Sequence, residues 1–249
     1  MTATLAWRMC APIQFWGRPG NLHQDRPASP WPTHSGITGV IACALGYERD
    51  DPRQLTISDR RQVIRIDHAG QMDTDCQTIT DTINTAGGRR GGDQVISNRG
   101  ILHDACFVVF VSWTDAEVAH EAYIALRDPV WALRMGRIGA PFTPESLPTF
   151  IDGDFGDDTV SSWPPCPHHL PQDDTWKVVT AAQGWNPATV ILDDSRLVDV
   201  PRRYETRLVT VTELERTAPA VPDEEEDLPL LQLSATGQLL LPGETDDRD

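Results

Sequence analysis

The chain has almost no lysine. Of its 21 basic residues, 20 are arginine and one, Lys177, is lysine. Arginine is the better residue for two-pronged phosphate contacts and for stacking on bases, although a GC-rich genome enriches it equally well. Cysteine is scarce too. There are five, at positions 10, 43, 76, 106 and 166, with no C-x-x-C spacing. An odd count in a chain of this length argues against a disulfide framework or a structural zinc site. "CPHH" at Cys166 to His169 can hold a metal only with help from elsewhere, and it reads as a proline-rich loop with incidental histidines. No apolar run approaches the 18 or so residues of a membrane span. The opening MTATLAWRMC lacks the basic-then-apolar pattern of a secretory signal. A cytoplasmic protein without cofactor, metal or membrane contact is expected.

Acidic residues are abundant but unevenly placed. The formal net charge is −16. Residues 1–140 carry 14 arginines against 15 acids, whereas residues 141–249 carry 7 basic residues against 22 acidic ones. The first part is thus balanced and compatible with an anionic partner. The final stretch 217–249, with nine acids and one arginine around "LPLLQLSATGQLLLP", reads as an acidic, disordered tail.

Hydrophobic residues make up 39 % of the chain, enough for a packed core. "TLAWRMCA" alternates, with Leu5, Trp7 and Met9 on one face and Ala6, Arg8 and Cys10 on the other, which predicts a strand. A Gly/Pro-rich loop follows. Ile37, Val40, Ile41, Ala44 and Leu45 then recur at helical spacing up to a stop at Gly46. "QVIRID" (62–67) reads as a second strand. Residues 70–100 read as a long arm, a hairpin of "CQTIT" and "QVISN" joined at "TAGGRRGGD". "ACFVVFVSW" (105–113) is a buried strand. The helix after it is capped by Thr114 with Glu117 three residues on, and its stripe is Val118, Ala122, Ala125 and Leu126. "VWALRMG" (130–136) reads as the next strand. This β-α-β, arm, β-α-β order predicts an α+β, ferredoxin-like (RRM-like) domain over 1–141, with one sheet face left open as in many RNA-binding folds. A small β-rich C-terminal region, 142–216, is predicted from strands at 176–182, 188–194 and 207–214.

"PTHSG" places His34 beside Ser35. Catalysis by this pair is disfavoured, because adjacent side chains diverge and the G-x-S-x-G elbow is absent. The favoured reading is an anion cradle. Thr33 or Ser35 caps the helix, and the N–H groups of Gly36, Ile37 and Thr38 point outward at the positive end of its dipole. Simple capping is the alternative. Gln14 and Trp16 end the first strand, and Trp16 either stacks on a base or packs under the loop. Arg18 and Arg26 in that loop are candidate phosphate ligands. Arg89 and Arg90 lie between glycine pairs at the arm's tip, Arg99 at its foot, and Arg137 in the glycine-flanked "MGRIGAP", which lacks the ending of a P-loop.

Four phrases, "APIQFWG", "PTHSGITGVIACALGYERDD", "NRGILHDACFVVFV" and "LRDPVWALRMGRIGAP", fall in order at fitting intervals. Together they resemble the Cas-five (CasD-type) family of subunits of type I-E CRISPR Cascade complexes, over residues 5–141 and more weakly over 142–215. The resemblance implies a RAMP fold with a thumb hairpin, here the arm at 70–100. It also implies a non-catalytic subunit that grips the 5′ handle of crRNA. Its partners would be the backbone subunit CasC and the large subunit, with target DNA engaged through the complex. It places "PTHSG" near the handle. Where the family pattern has "REYL", this chain reads "RGIL": Arg99 is kept and the aromatic position is lost. The alternative is a metal-independent endoribonuclease processing precursor crRNA. Some relatives cut with a tyrosine, lysine and histidine set, but this chain has no lysine before Lys177 and no tyrosine before Tyr47.

Overall fold

The computed structural model describes residues 1–18, 25–80, 95–143, 146–169, 173–182, 189–195, 204–217, 232–233 and 239–240. In chain order the elements are β1 (Ala3–Gln14), β2 (Asp25–Arg26), α1 (His34–Ala44), α2 (Arg53–Ser58), β3 (Arg61–His68), β4 (Gln71–Ile79), β5 (Val95–Trp113), α3 (Ala116–Arg127), β6 (Thr149–Asp152), α4 (Asp157–Ser162), β7 (Thr175–Ala181), β8 (Thr189–Ser195) and β9 (Tyr204–Glu215). Met1–Ala218 form one compact unit and Pro219–Asp249 a second. In the second, the short β10 (Gln232–Leu233) and β11 (Leu239–Leu240) pair antiparallel.

A mixed α/β architecture follows from one long antiparallel sheet with the order β6-β1-β5-β3-β7-β9-β8. Its spine is β1 on β5, in unbroken register from Ala3↔Trp113 to Ala11↔Ala105. The alternation expected in β1 is present. Leu5, Trp7 and Met9 join Phe107, Val109 and Val111 of β5 under α1 and α3, which contribute Ile37, Ile41, Ala119 and Ala122. Strand β8 and its neighbours continue the same sheet past β3, because β7 pairs with β3 and β9 with β7.

The sheet's second face is covered, contrary to the open surface expected from the sequence. Ala6, Val63, Val108 and Phe110, with Trp176 and Val178 of β7, pack against Phe155 and Val160. That face is apolar, so leaving it in water would forfeit burial that stabilises by about 25 cal/mol per Å². The segment carrying α4 closes over it. What holds this segment is Arg65, whose side chain and that of its partner Asp67 are both 0 % exposed. Arg65 Nε and Nη2 donate to the two Asp67 carboxylate oxygens at 2.7 and 3.0 Å. Its other N–H groups donate to the carbonyls of Val160, Trp163 and Pro164 at 2.8, 2.7 and 3.2 Å. The guanidinium also lies 4.1 Å above the Trp176 ring. Asp67 Oδ2 in turn accepts from the backbone N–H of Cys166.

Several expectations are corrected. Residues 130–136 form no strand: Gly136 turns at φ +101 and Met135 N donates to Ala140 O, so the segment doubles back as a loop. The place beside β1 is taken instead by β6, paired through Ala3↔Asp152 to Ala6↔Thr149. Asp115, not Thr114, caps α3, accepting from Glu117 N at 3.0 Å. An aspartate at this position closes a tight two-residue cap that Thr114, one residue further out, does not reach. The arm strand and the buried strand are one element, the 19-residue β5. Its outer half pairs with β4 from Gln71↔His103 to Ile79↔Val95. Cys10 and Cys106, opposite each other on β1 and β5 with Cα atoms 4.2 Å apart, are disulfide-bonded. A short helix, α2, stands between α1 and β3, where the sequence pattern shows no helical stripe.

Breaking the Arg65–Asp67 pair is expected to be severe. Asp67→Ala leaves a buried guanidinium without its anion, and about 3–5 kcal/mol of stability should go. Asp67→Asn keeps an oxygen for the Cys166 N–H and should lose less. Urea midpoints of the two variants check the order.

Candidate nucleic-acid interface at the root of the hairpin

Helix α1 begins as the sequence predicts, with Thr33 as N-cap. The consequence is different. Thr33 Oγ1 accepts from Gly36 N at 3.0 Å, and Thr33 O accepts from Ile37 N at 2.9 Å. Two of the three N–H groups assigned to an anion cradle are therefore consumed by the cap itself. Gly36 is needed for packing: a Cβ there would lie 2.9 Å from Thr33 Oγ1 and 3.0 Å from Trp16 Cε3. Thr38 and His34 are engaged by Arg60, which donates to Thr38 Oγ1 at 2.8 Å and to His34 O at 3.2 Å. Ser35, in the same turn, is half-buried. The cradle reading is corrected to capping and packing for Thr33 and Gly36.

Gln14 and Trp16 lie inside. Gln14 Nε2 donates to Met9 O and Ala105 O at 3.0 and 2.7 Å, and its Oε1 accepts from Trp16 Nε1 at 2.7 Å. Trp16 is 2 % exposed, so its ring packs beneath α1 and offers no face to a base. The packing alternative is the one realised.

The arginines behave otherwise. Short strand β2 runs parallel to β5 and sets Arg26 opposite Arg99. Across the β4–β5 pair, Arg99 stands opposite Asp75. Arg137 comes in from the loop after Met135, lies 4.5 Å over the Phe15 ring, and brings Nη1 to 3.7 Å from Asp75 Oδ2. That nitrogen is buried and makes no hydrogen bond. Burial pushes the Arg137 guanidinium below its ordinary pKa; Arg99 and Arg26 push the same way, and Asp75 opposes them. Arg26 and Arg99 thus lie close enough to Arg137 to act on its charge, and Asp75 is the carboxylate that Arg137 approaches. Arg18 is tethered nearby, its N–H donating to Pro27 O at 2.8 Å. Arg89 and Arg90 lie outside the described residues.

Two glycines make this convergence possible. At Gly100 a Cβ would strike Ala28 N, where the β2 segment crosses β5; at Gly136 it would strike the Phe15 carbonyl. Backbone of the segment after β2 occupies the space that a side chain at position 100 would need.

His34 is held neutral. Nε2 lies 3.1 Å from Ser58 O and 3.0 Å from Ser58 Oγ. Burial, with Arg60 and Arg207 adding, holds the imidazole down at about 2, against a weaker upward pull from the Ser58 carbonyl. Such a group cannot act as a proton carrier near neutrality. The unfolded chain takes up this proton below about pH 6.5 while the folded chain does not. Stability should therefore be fully present above that pH and fall as pH drops below it. Melting curves between about pH 7.5 and 4.5 should show this decline reduced in His34→Gln.

Against known proteins, the chain aligns with E. coli (strain K12) "CRISPR system Cascade subunit CasD" at 28 % identity over 155 residues, 57 % of this chain and 69 % of that one. It superposes on a chain of a "CRISPR RNA-guided surveillance complex" with TM-score 0.72 and 24 % identity, covering 88 % of this chain and 95 % of the other. A second structure, "Crystal structure of Cas protein", gives TM-score 0.62 at 23 % identity, with 87 % and 97 % covered. A family model described as "CRISPR-associated protein (Cas_Cas5)" matches residues 4–210. The chain belongs to the Cas5 family of CRISPR-associated proteins.

Proposed function

We propose that this chain is a non-catalytic RNA-binding subunit of a Cascade complex that holds the 5′ handle of crRNA at the root of its hairpin. The observation that supports the reading is the convergence of Arg26 and Arg99, register partners across β2 and β5, on Arg137, whose buried Nη1 lies 3.7 Å from Asp75 Oδ2 and lacks a hydrogen-bond acceptor. A buried donor on a charged group favours an anion strongly, and a phosphate oxygen is such an acceptor. The similarity to a Cascade subunit and to a chain of an RNA-guided complex supplies the partner class. CasC, the large subunit and, through the complex, target DNA are the corresponding assembly partners. The sheet order β6-β1-β5-β3 supports a ferredoxin-like reading, with β6 as its fourth strand and the β4–β5 hairpin in the place of the thumb. In this reading Arg89 and Arg90, outside the described residues, are further candidate phosphate contacts.

The handle should leave α1 and the covered sheet face untouched. Arg26→Ala, Arg99→Ala and Arg137→Ala combined should weaken binding of handle RNA in gel shifts and lower the salt slope by about two, at about 0.7 per lost single-strand phosphate contact. Arg53→Ala, at the start of α2, whose side chain pairs with Asp51 before the helix, should bind as the parent does. Equal affinity of triple variant and parent would overturn the site. Sequence-specific cleavage of repeat RNA by the pure protein would overturn the non-catalytic role.

A further inference from the structure

The hairpin leaves the core sheet at a joint with unusual chemistry. His68 ends β3 just before the turn at Gly70, and the β3–β5 register shifts between Ile66 and His68. Opposite this break, Asp104 interrupts β5 at φ +52, the one non-glycine residue with positive φ among the described residues. His169 arrives from the loop that Arg65 and Arg8 hold by the carbonyls of Trp163, Pro164 and Pro165. The His68 and His169 rings stack with centroids 4.2 Å apart and planes 3° from parallel. His169 Nε2 lies 3.2 Å from Asp104 Oδ1, and His68 Nδ1 lies 2.6 Å from Asp104 O.

We propose that His68, Asp104 and His169 bind a divalent transition-metal ion of zinc type, which ties the root of the hairpin to the C-terminal loop. The donor set, two imidazoles and a carboxylate, suits such an ion. Their ligand atoms all lie within 4.8 Å of one another. Two ligands each about 2.0–2.2 Å from one ion stand roughly 3–3.5 Å apart, which is the His169–Asp104 separation. The Asp104 carbonyl accepts the His68 Nδ1 proton, fixing the tautomer that leaves Nε2 free as a ligand, the outer-shell arrangement common around metal-binding histidines. A left-handed backbone at a non-glycine residue is a strain that functional sites tend to retain; here it aims a carboxylate at two histidines. The stacked rings must tilt to share an ion, a rotation about a broad torsion. Asp104 is 68 % exposed on its side chain, so water can complete the coordination. The neighbouring cluster of Cys10, Cys106 and Cys166 is less suited, since its disulfide leaves one thiol. The inference stands independently of the RNA reading.

Titrating the full chain with Zn²⁺ alone, by calorimetry, should give one saturable equivalent and a raised melting temperature. His68→Ala and His169→Ala should each weaken binding by about 10- to 100-fold or more. Asp104→Gly keeps the left-handed backbone while removing the carboxylate; it should stay folded and bind more weakly. Absence of saturable Zn²⁺ binding, or binding unchanged in His68→Ala/His169→Ala, would overturn the site. Loss of binding only in Cys166→Ser would move the ion to the thiols and overturn it equally.

Discussion

Arg65 lies wholly inside the protein, and much of the architecture depends on how its charge is satisfied. One guanidinium neutralises Asp67 and binds three backbone carbonyls of the segment that runs from α4 into the proline-rich loop. Losing Asp67 would leave that charge unpaired and be strongly destabilising, while the three carbonyls tie the covering segment to the sheet. The pair also fixes what the sheet can do. With Phe155 and Val160 seated on its second face, the surface that an open α+β sheet would present is covered.

Positive charge therefore collects at the sheet's end, where β5 runs on into the hairpin. Continuity matters here. A 19-residue strand that is core in its inner half and hairpin in its outer half carries Arg99 out from the core sheet. Close crossing at Gly100 and the turn at Gly136 bring β2 and the Arg137 loop against it. Clustering guanidiniums this way costs free energy through desolvation and like-charge repulsion; burial first, then Arg99 and Arg26, push the Arg137 guanidinium below its ordinary pKa. Under the proposed function, a phosphate backbone bound there would relieve that penalty.

Local patterns were legible in the sequence, and long-range ones were not. The alternation of Leu5, Trp7 and Met9 and the cap at Thr33 depend on neighbours a few residues away, and both are in place. The burial of Trp16 depends on Gly36, twenty residues on, and the capping of Gly36 by Thr33 removes the free donors that make a helix start attractive to anions. Val130 to Gly136 alternates like a strand, but β6 already occupies the sheet edge it would need. Arg65 and Asp67, two residues apart in "RID", give no sign in one dimension that three carbonyls from residues 160–164 will complete their shell. Arg18, Arg26, Arg99 and Arg137 could be listed by type as RNA ligands; only the fold shows that three of them meet.

The central claim is that RNA engages the root of the hairpin and neither the α1 start nor the covered sheet face. Photo-crosslinking of handle RNA to the protein, followed by mass-spectrometric mapping of the linked peptides, tests it most directly. Crosslinks should fall in residues 25–28, 95–103 and 135–142. Crosslinks confined to residues 33–38, or to the segment covering the second sheet face, would contradict it.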